Sequence, residues 1–214
     1  MKSAATLERR DALREALVNA AERRIAHSGF AALRARELAD DVGCALGAIY
    51  LVFADLDSLI VAVKDRTLNA LEAAAAKIAE APKSAGKSAA SAREAGDSLT
   101  ALAALYLGFA RDNRNLWRAL FEHRAPEGVP SGAAGALDAI FAHIERQIRI
   151  LAPGVPVARR RLLAQALFGA AHGIVALGLN DLIEKSSVDE VAWQTRTIVE
   201  LIARGLEGEG GLPR

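Results

Sequence analysis

Apolar residues recur at spacings of three and four along most of the chain, and strict alternation is missing. That periodicity predicts helices and offers no convincing strand. A first helix is expected from about Asp11 to His27, with Leu13, Ala16, Leu17, Ala20, Ala21 and Ile25 on its inner stripe. Residues 1–10 read as a frayed arm. Gly29 supplies a C-terminal stop, and Phe30 can fold back onto the helix. Two short patterns follow. One starts near Arg34–Arg36 and carries Leu38, Ala39 and Val42; the other carries Leu46, Ile49 and Phe53. They meet at Gly43. Two short helices joined by a tight glycine turn outline a helix-turn-helix, and the same outline fits a plain helical hairpin.

Asp55 is placed to cap a fourth helix, in which Leu56, Leu59, Ile60, Val63, Leu68, Leu71 and Ile78 continue to about Ala81. At 1.5 Å per residue such a helix is roughly 40 Å long. Residues 82–96 are small and polar and read as a mobile surface loop, partly helical toward its end, with Lys83 and Lys87 solvated. A fifth helix is expected from Leu99 to about Asp112, capped by Asp97 or Ser98. A corner at 113–115 leads to a short sixth helix, Leu116–Phe121. A loop with Pro126, Gly128, Pro130 and Gly132 precedes a seventh, marked by Leu137, Ile140, Phe141, Ile144, Ile148 and Leu151. Pro153-Gly154-Val155-Pro156 stops it.

The eighth helix, about Val157 to Ile183, opens with Arg159, Arg160 and Arg161 and is apolar all round in its middle. Such a helix needs cover on most sides, from its own bundle and from a partner chain. Gly169, Ala170, Gly173 and Gly178 permit close helix approach. Ser187 and Glu190 form a capping box for the last helix, whose stripe is Val191, Thr195, Ile198, Ile202 and Leu206. Gly208, Gly210 and Gly211 end it. The expected fold is all-α with about nine helices: a three-helix helix-turn-helix unit and a C-terminal helical bundle.

Composition adds limits. The chain of 214 residues has a formal net charge of +1, and residues 1–66 hold ten basic and ten acidic side chains. Bulk charge therefore does not draw this chain to nucleic acid, although a local basic patch suffices for a specific binder. The sole cysteine, Cys44, excludes an internal disulfide and a cysteine-rich metal site, and reads as a small apolar residue at the turn. The opening residues contain no signal-peptide pattern. The longest apolar run, Ala166 to Leu179, is too short to span a bilayer and reads as a buried helix. A cytoplasmic protein without membrane association is expected.

Catalytic patterns are lacking. His27, His123, His143 and His172 are scattered, with no metal-ligand pair on one helix. Neither a phosphate-binding loop nor a Gly-x-Ser-x-Gly elbow occurs. No enzyme, metal or cofactor is expected.

The segment 13–66 resembles the DNA-binding domain of the TetR family of bacterial transcriptional repressors. The residues that carry the resemblance are His27-Ser28-Gly29-Phe30, then Arg36-Glu37-Leu38-Ala39, then Gly43-Cys44-Ala45-Leu46-Gly47-Ala48-Ile49-Tyr50-Leu51-Val52-Phe53, and Asp55-Leu56-Asp57-Ser58-Leu59. This implies a DNA-binding domain at 1–54 and a ligand-binding and dimerisation domain at 55–214. The third helix would be the recognition helix, which enters the major groove. The chain departs from the family pattern there. Ala45 stands where the N-cap is often Ser, Leu46 and Leu56 where Lys is frequent, and Leu51 and Val52 where polar or aromatic residues are common. Base reading would rest on apolar contact with thymine methyl groups, close backbone approach at Gly47, and Tyr50. Arg34, Arg36, Tyr50 and Lys64 would hold phosphates, and Arg14 or the N-terminal arm could join them.

The resemblance further implies a homodimer built on the last two helices, bound to palindromic double-stranded DNA. A small-molecule effector would occupy the C-terminal domain. Tyr106, Phe109, Trp117, Phe121, Phe141, Phe168 and His172 are candidate wall residues, each with simple core packing as its alternative. An apolar, uncharged effector suits them. The rival reading keeps the fold as a dimeric small-molecule-binding or interaction protein with weak or lost DNA binding.

Overall fold

The computed structural model describes residues 4–79, 89–125, 129, 132–179 and 186–207. Among them are nine α-helices and no strand: α1 (Ala4–Ser28), α2 (Ala35–Val42), α3 (Leu46–Val52), α4 (Leu56–Ala79), α5 (Ala89–Asp112), α6 (Arg114–Glu122), α7 (Ala133–Leu151), α8 (Val157–Leu179) and α9 (Val188–Glu207). A single 3-10 turn, Phe30–Ala32, follows α1. The all-α architecture, N-terminal helices followed by a helical bundle, is the one that the periodicity predicts.

Two boundaries differ from expectation. α1 already begins at Ala4, so residues 4–10 are helix rather than a frayed arm. α5 begins at Ala89, ten residues before the expected start at Leu99, so the helical part at the end of 82–96 spans 89–96. The reason is compositional: alanine is the strongest helix former, and Ala95 extends the Leu99 and Ala103 stripe into the core. Lys83, Lys87, Pro126, Gly128, Pro130, residues 180–183 and Gly208, Gly210 and Gly211 lie outside the described residues.

The chain forms two compact units. One comprises the chain to Ala70 together with Asn113–Ala136, the other Leu71–Asp112 with Leu137–Arg214. This line differs from a cut between residues 54 and 55: the first half of α4, and α6, belong with the N-terminal helices.

The first unit packs Leu17 and Ile25 of α1, Leu38 of α2, Ile49 of α3, Leu59 and Val63 of α4, and Leu116 and Ala119 of α6 into one core. Burying each such large side chain contributes about 1.5–3 kcal/mol. Asn115 of α6 donates from Nδ2 to the Ala26 carbonyl at 2.9 Å, satisfying one of the carbonyls left open at the end of α1. Arg66 of α4 reaches back to Glu15 (2.8 Å), Glu22 (3.1 Å) and Asn19 of α1.

The second unit centres on Leu99 and Ala103 of α5, Phe141, Ile144, Ile148 and Leu151 of α7, Ala164 and Leu167 of α8, and Val199, Ala203 and Leu206 of α9. Ser187 and Glu190 exchange the two bonds of a capping box at the start of α9, at 2.6 and 3.2 Å.

α8 is covered only in part within one chain. Its own unit covers only the stripe Ala164, Leu167, Ala171 and Val175. Val157, Leu162 and Leu177 are exposed on α8, as are Trp193 and Leu201 on α9. Of the small residues, Gly178 serves close packing within the chain: a Cβ there would lie 2.4 Å from Val191 Cγ2, whereas one at Gly169 or Gly173 would meet open space. Among the described residues α8 is the one single helix long and apolar enough to cross a membrane, which the shorter run Ala166–Leu179 understated. Its first turns are anchored to the bundle through Arg161, which pairs with Glu145 at 3.0 Å and with Asp138.

Candidate nucleic-acid interface and aromatic cluster

α2 ends because Gly43 adopts the left-handed conformation, with φ 71° and ψ 37°. The Cys44 N–H then bonds the Ala39 carbonyl at 2.9 Å, and the Gly43 N–H the Asp40 carbonyl at 3.3 Å. These are the two bonds of a Schellman stop, which reverse the chain within three residues. Ala45 begins the next helix in an extended conformation and makes no side-chain cap bond. α4 starts more firmly, with the Ser58 N–H and hydroxyl both donating to Asp55 Oδ1 at 2.7 Å. Those two donors hold the Asp55 carboxyl below its ordinary range.

α3 turns Ile49 inward, fully buried, and Phe53 seals its C-terminus. Leu46, Gly47, Tyr50 and Leu51 share the opposite, exposed face, and Leu51 is 74% exposed. A Cβ built on Gly47 meets nothing within 4 Å, so the backbone itself is accessible. Arg34 and Arg36 are exposed at the start of α2, and Arg34 Nη1 donates to the carbonyls of Ala31 and Leu33 at 2.9 Å. Arg14, also exposed, lays its guanidinium over the Phe53 ring at 4.5 Å.

Lys64 does not join them as a free cation. It is half-buried, and its Nζ donates to the His123 carbonyl at 2.8 Å. Burial pulls its ammonium below its ordinary pKa. His123 itself is buried, with Nε2 2.8 Å from Asp57 Oδ1 and Phe30 edge-on against its ring. Lys64 therefore closes the α6 terminus onto α4.

The acidic residues of this unit are unevenly placed. Glu37 and Asp41 of α2 converge on Arg24 of α1, with Nη2 to Asp41 Oδ1 at 2.9 Å. The Arg24 hydrogen bonds hold the Asp41 carboxyl below its usual range. Arg34 and Arg36 form no ion pair among the described residues, so their charge is left facing solvent.

In the second unit Tyr106 of α5, Phe141 of α7, and Phe168 and His172 of α8 come together. Phe168 stands edge-on to Tyr106 (centroids 5.3 Å apart) and Phe141 (5.7 Å), and stacks on His172 (5.7 Å). The Tyr106 hydroxyl lies 2.6 Å from His172 Nδ1. Burial holds the imidazole below its ordinary pKa, which favours the neutral ring. Phe109 is half-buried on the same helix as Tyr106. Trp117 and Phe121 pair with each other on α6 of the first unit, at 5.6 Å.

Sequence reasoning missed a polar group in α7. Gln147 is fully buried and donates to the His143 carbonyl at 3.4 Å, one turn back. His143 Nε2 lies 3.3 Å from Glu72 Oε1, and its buried Nδ1 has no partner among the described residues. The available signal was polar residues four apart within the apolar stripe of α7. Among the described residues no three His, Cys, Asp or Glu side chains converge as a metal set.

Residues 99–197 match the family model described as "Tetracyclin repressor-like, C-terminal domain". A search of curated proteins found no match. A protein of unknown function from Rhodococcus sp. RHA1 is similar over 92% of this chain and 96% of its own, with 25% identity and a TM-score of 0.70. The transcriptional regulator FadR from Bacillus subtilis, solved with stearoyl-CoA, is 17% identical over 93% of this chain and 99% of its own, with a TM-score of 0.63. The TetR regulator SCO7222 from Streptomyces coelicolor is 19% identical over 91% and 97%, with a TM-score of 0.62. The chain has the TetR-like fold, and its C-terminal part matches that family's C-terminal domain.

Proposed function

We propose that the protein is a cytoplasmic TetR-like transcriptional regulator, a repressor that binds palindromic operator DNA as a homodimer and leaves it when a small apolar effector binds. The observation that carries this reading is the α2–turn–α3 unit: a firmly stopped first helix, and a second that turns one face into the core and the other to solvent. The recognition surface comprises Arg34, Arg36, Ala45, Leu46, Gly47, Tyr50 and Leu51. Lys64 braces α4 against the end of α6, and Arg14 adds a cation at the end of α3.

The exposed stripes of α8 and α9 support dimerisation. Leu162, Gly169 and Leu177 on one, with Trp193 and Leu201 on the other, leave apolar and small side chains in water in a single chain. A two-fold dimer would cover them and set two recognition helices for half-sites one DNA turn, roughly 34–36 Å, apart. The effector would enter among Tyr106, Phe109, Phe141, Phe168 and His172, where the tyrosine–histidine pair supplies polarity within an apolar surround. α4 contributes to both units and is the element that would carry the switch. Effector and operator affinities would then oppose each other reciprocally.

A second reading, a dimeric small-molecule-binding protein with little DNA affinity, draws on one observation: the exposed face of α3 carries no charge. Electrophoretic mobility shift with the purified dimer separates the two. Saturable, salt-weakened binding to a palindromic fragment supports the regulator. Absence of binding to any sequence supports the alternative.

A further inference from the structure

The outward face of α3 consists of Leu46, Gly47, Tyr50 and Leu51. None of these side chains bears an N–H donor or a formal charge, and the one polar group among them is a phenol. Pairing of a forked donor with guanine or of an amide with adenine is therefore outside the chemistry of this face. What it presents is a pair of branched aliphatic side chains beside a bare stretch of backbone, since nothing fills the space that a Cβ of Gly47 would take.

Charge tells what covers this apolar face. Arg34 and Arg36 stand exposed on the adjoining helix without an acidic partner among the described residues, and Arg14 is braced on Phe53 at the end of α3. α3 itself has no acidic residue, and of the three on α2, Glu37 and Asp41 are held by Arg24 while Asp40 is exposed. An apolar face on a unit with unneutralised arginines fits a surface that is anionic at its rims and apolar at its floor. The major groove has that character where 5-methyl groups of pyrimidines line it.

Building on the regulator reading, we propose that the protein recognises its operator through pyrimidine 5-methyl groups, which Leu46 and Leu51 cover, rather than through base hydrogen bonds. Thymine supplies that methyl group in ordinary DNA. 5-Methylcytosine carries the same group at the same ring position on a different hydrogen-bonding edge. The two chemistries can therefore be separated on one duplex.

The test begins with selection from a random-sequence duplex pool by the full-length dimer. The enriched duplex is then remade with T·A, U·A, 5-methylC·G or C·G at each contacted position. Methyl recognition predicts that T·A and 5-methylC·G bind alike, and that U·A and C·G bind more weakly, by about fourfold for each methyl removed. Leu51→Ala, at an exposed position that leaves the fold alone, should weaken the T·A duplex and remove the difference between T·A and U·A at the position that Leu51 covers, while the positions under Leu46 keep theirs. Arg36→Ala should weaken all four duplexes equally. Enrichment of a specific duplex that binds equally with thymine and uracil would overturn methyl recognition and leave the regulator reading standing. Enrichment of no sequence by a folded dimer would overturn both.

Discussion

The Tyr106 hydroxyl lies 2.6 Å from His172 Nδ1, joining α5 to α8 inside the aromatic cluster. Burial depresses the histidine pKa from its ordinary 6.5. A group of this kind binds its proton more readily in the unfolded chain, so unfolding takes up a proton between the two pKa values. Its contribution to stability is complete above pH 6.5 and is lost as pH falls through the lower, folded value. The melting temperature of the wild-type protein should therefore drop more between neutral and mildly acidic pH than that of His172→Gln. Parallel pH profiles for the two proteins would remove His172 as the cause.

Gly178 and Val191 fix how closely α8 and α9 approach. A methyl group at Gly178 would lie 2.4 Å from a valine branch that has no flexible end to move aside. Gly178→Ala should cost about 1–3 kcal/mol, the usual range for an overpacked contact. Gly135→Ala, on α7 and facing open space away from the α8–α9 stripes, should leave the unfolding midpoint unchanged or raise it slightly. Urea denaturation of the two variants measures the contrast.

The helix count, the turn at Gly43 and the inward position of Ile49 were all legible, because each follows from local periodicity or from a backbone that favours glycine. Tertiary partnership was not. Lys64 was assigned to a phosphate since its charge was visible and the carbonyl that captures it lies 59 positions away. The aromatic residues of α6 leave pocket wall and core packing both open, and only the packed fold shows Leu116 and Ala119 in the core of the N-terminal unit. The extent of helix before Leu99 was hidden because the small side chains of 89–96 give little periodic signal, yet Ala95 is fully buried. The pairing of Glu37 and Asp41 with Arg24 was equally hidden: it depends on which of ten acidic residues face which arginine.

Trp193 and Leu201, both well exposed on α9, should lie in the dimer interface. Leu201→Glu places a carboxylate where the partner would need an apolar surface, and a buried unpaired charge is costly. Sedimentation equilibrium should show a shift toward monomer with helical content retained. A variant that stays dimeric would move the interface elsewhere.

Arg36 and Lys64 should behave differently despite their common charge. Arg36→Ala should lower DNA affinity and reduce the slope of log affinity against log salt by about 1, as expected for one lost phosphate contact. Lys64→Met should leave that slope intact and lower stability by about 1 kcal/mol through loss of the bond to the His123 carbonyl. Fluorescence anisotropy titrations across a salt series, alongside thermal melts, read both effects.

Tyr50 is exposed and carries the sole side-chain hydrogen-bonding group of the α3 outer face. Tyr50→Phe should weaken operator binding severalfold, near the 0.5–1.5 kcal/mol typical of one hydrogen bond, while the dimer persists. Unchanged affinity would remove the hydroxyl from the interface.

The most direct measurement is binding of the purified dimer to duplex fragments from its own genomic neighbourhood, at low and at physiological salt. A regulator should give a saturable shift confined to a fragment with a palindrome whose half-sites lie one helical turn apart, and the shift should weaken as salt rises. A folded dimer that shifts none of these fragments, and enriches no sequence from a random pool, would contradict DNA recognition by α3.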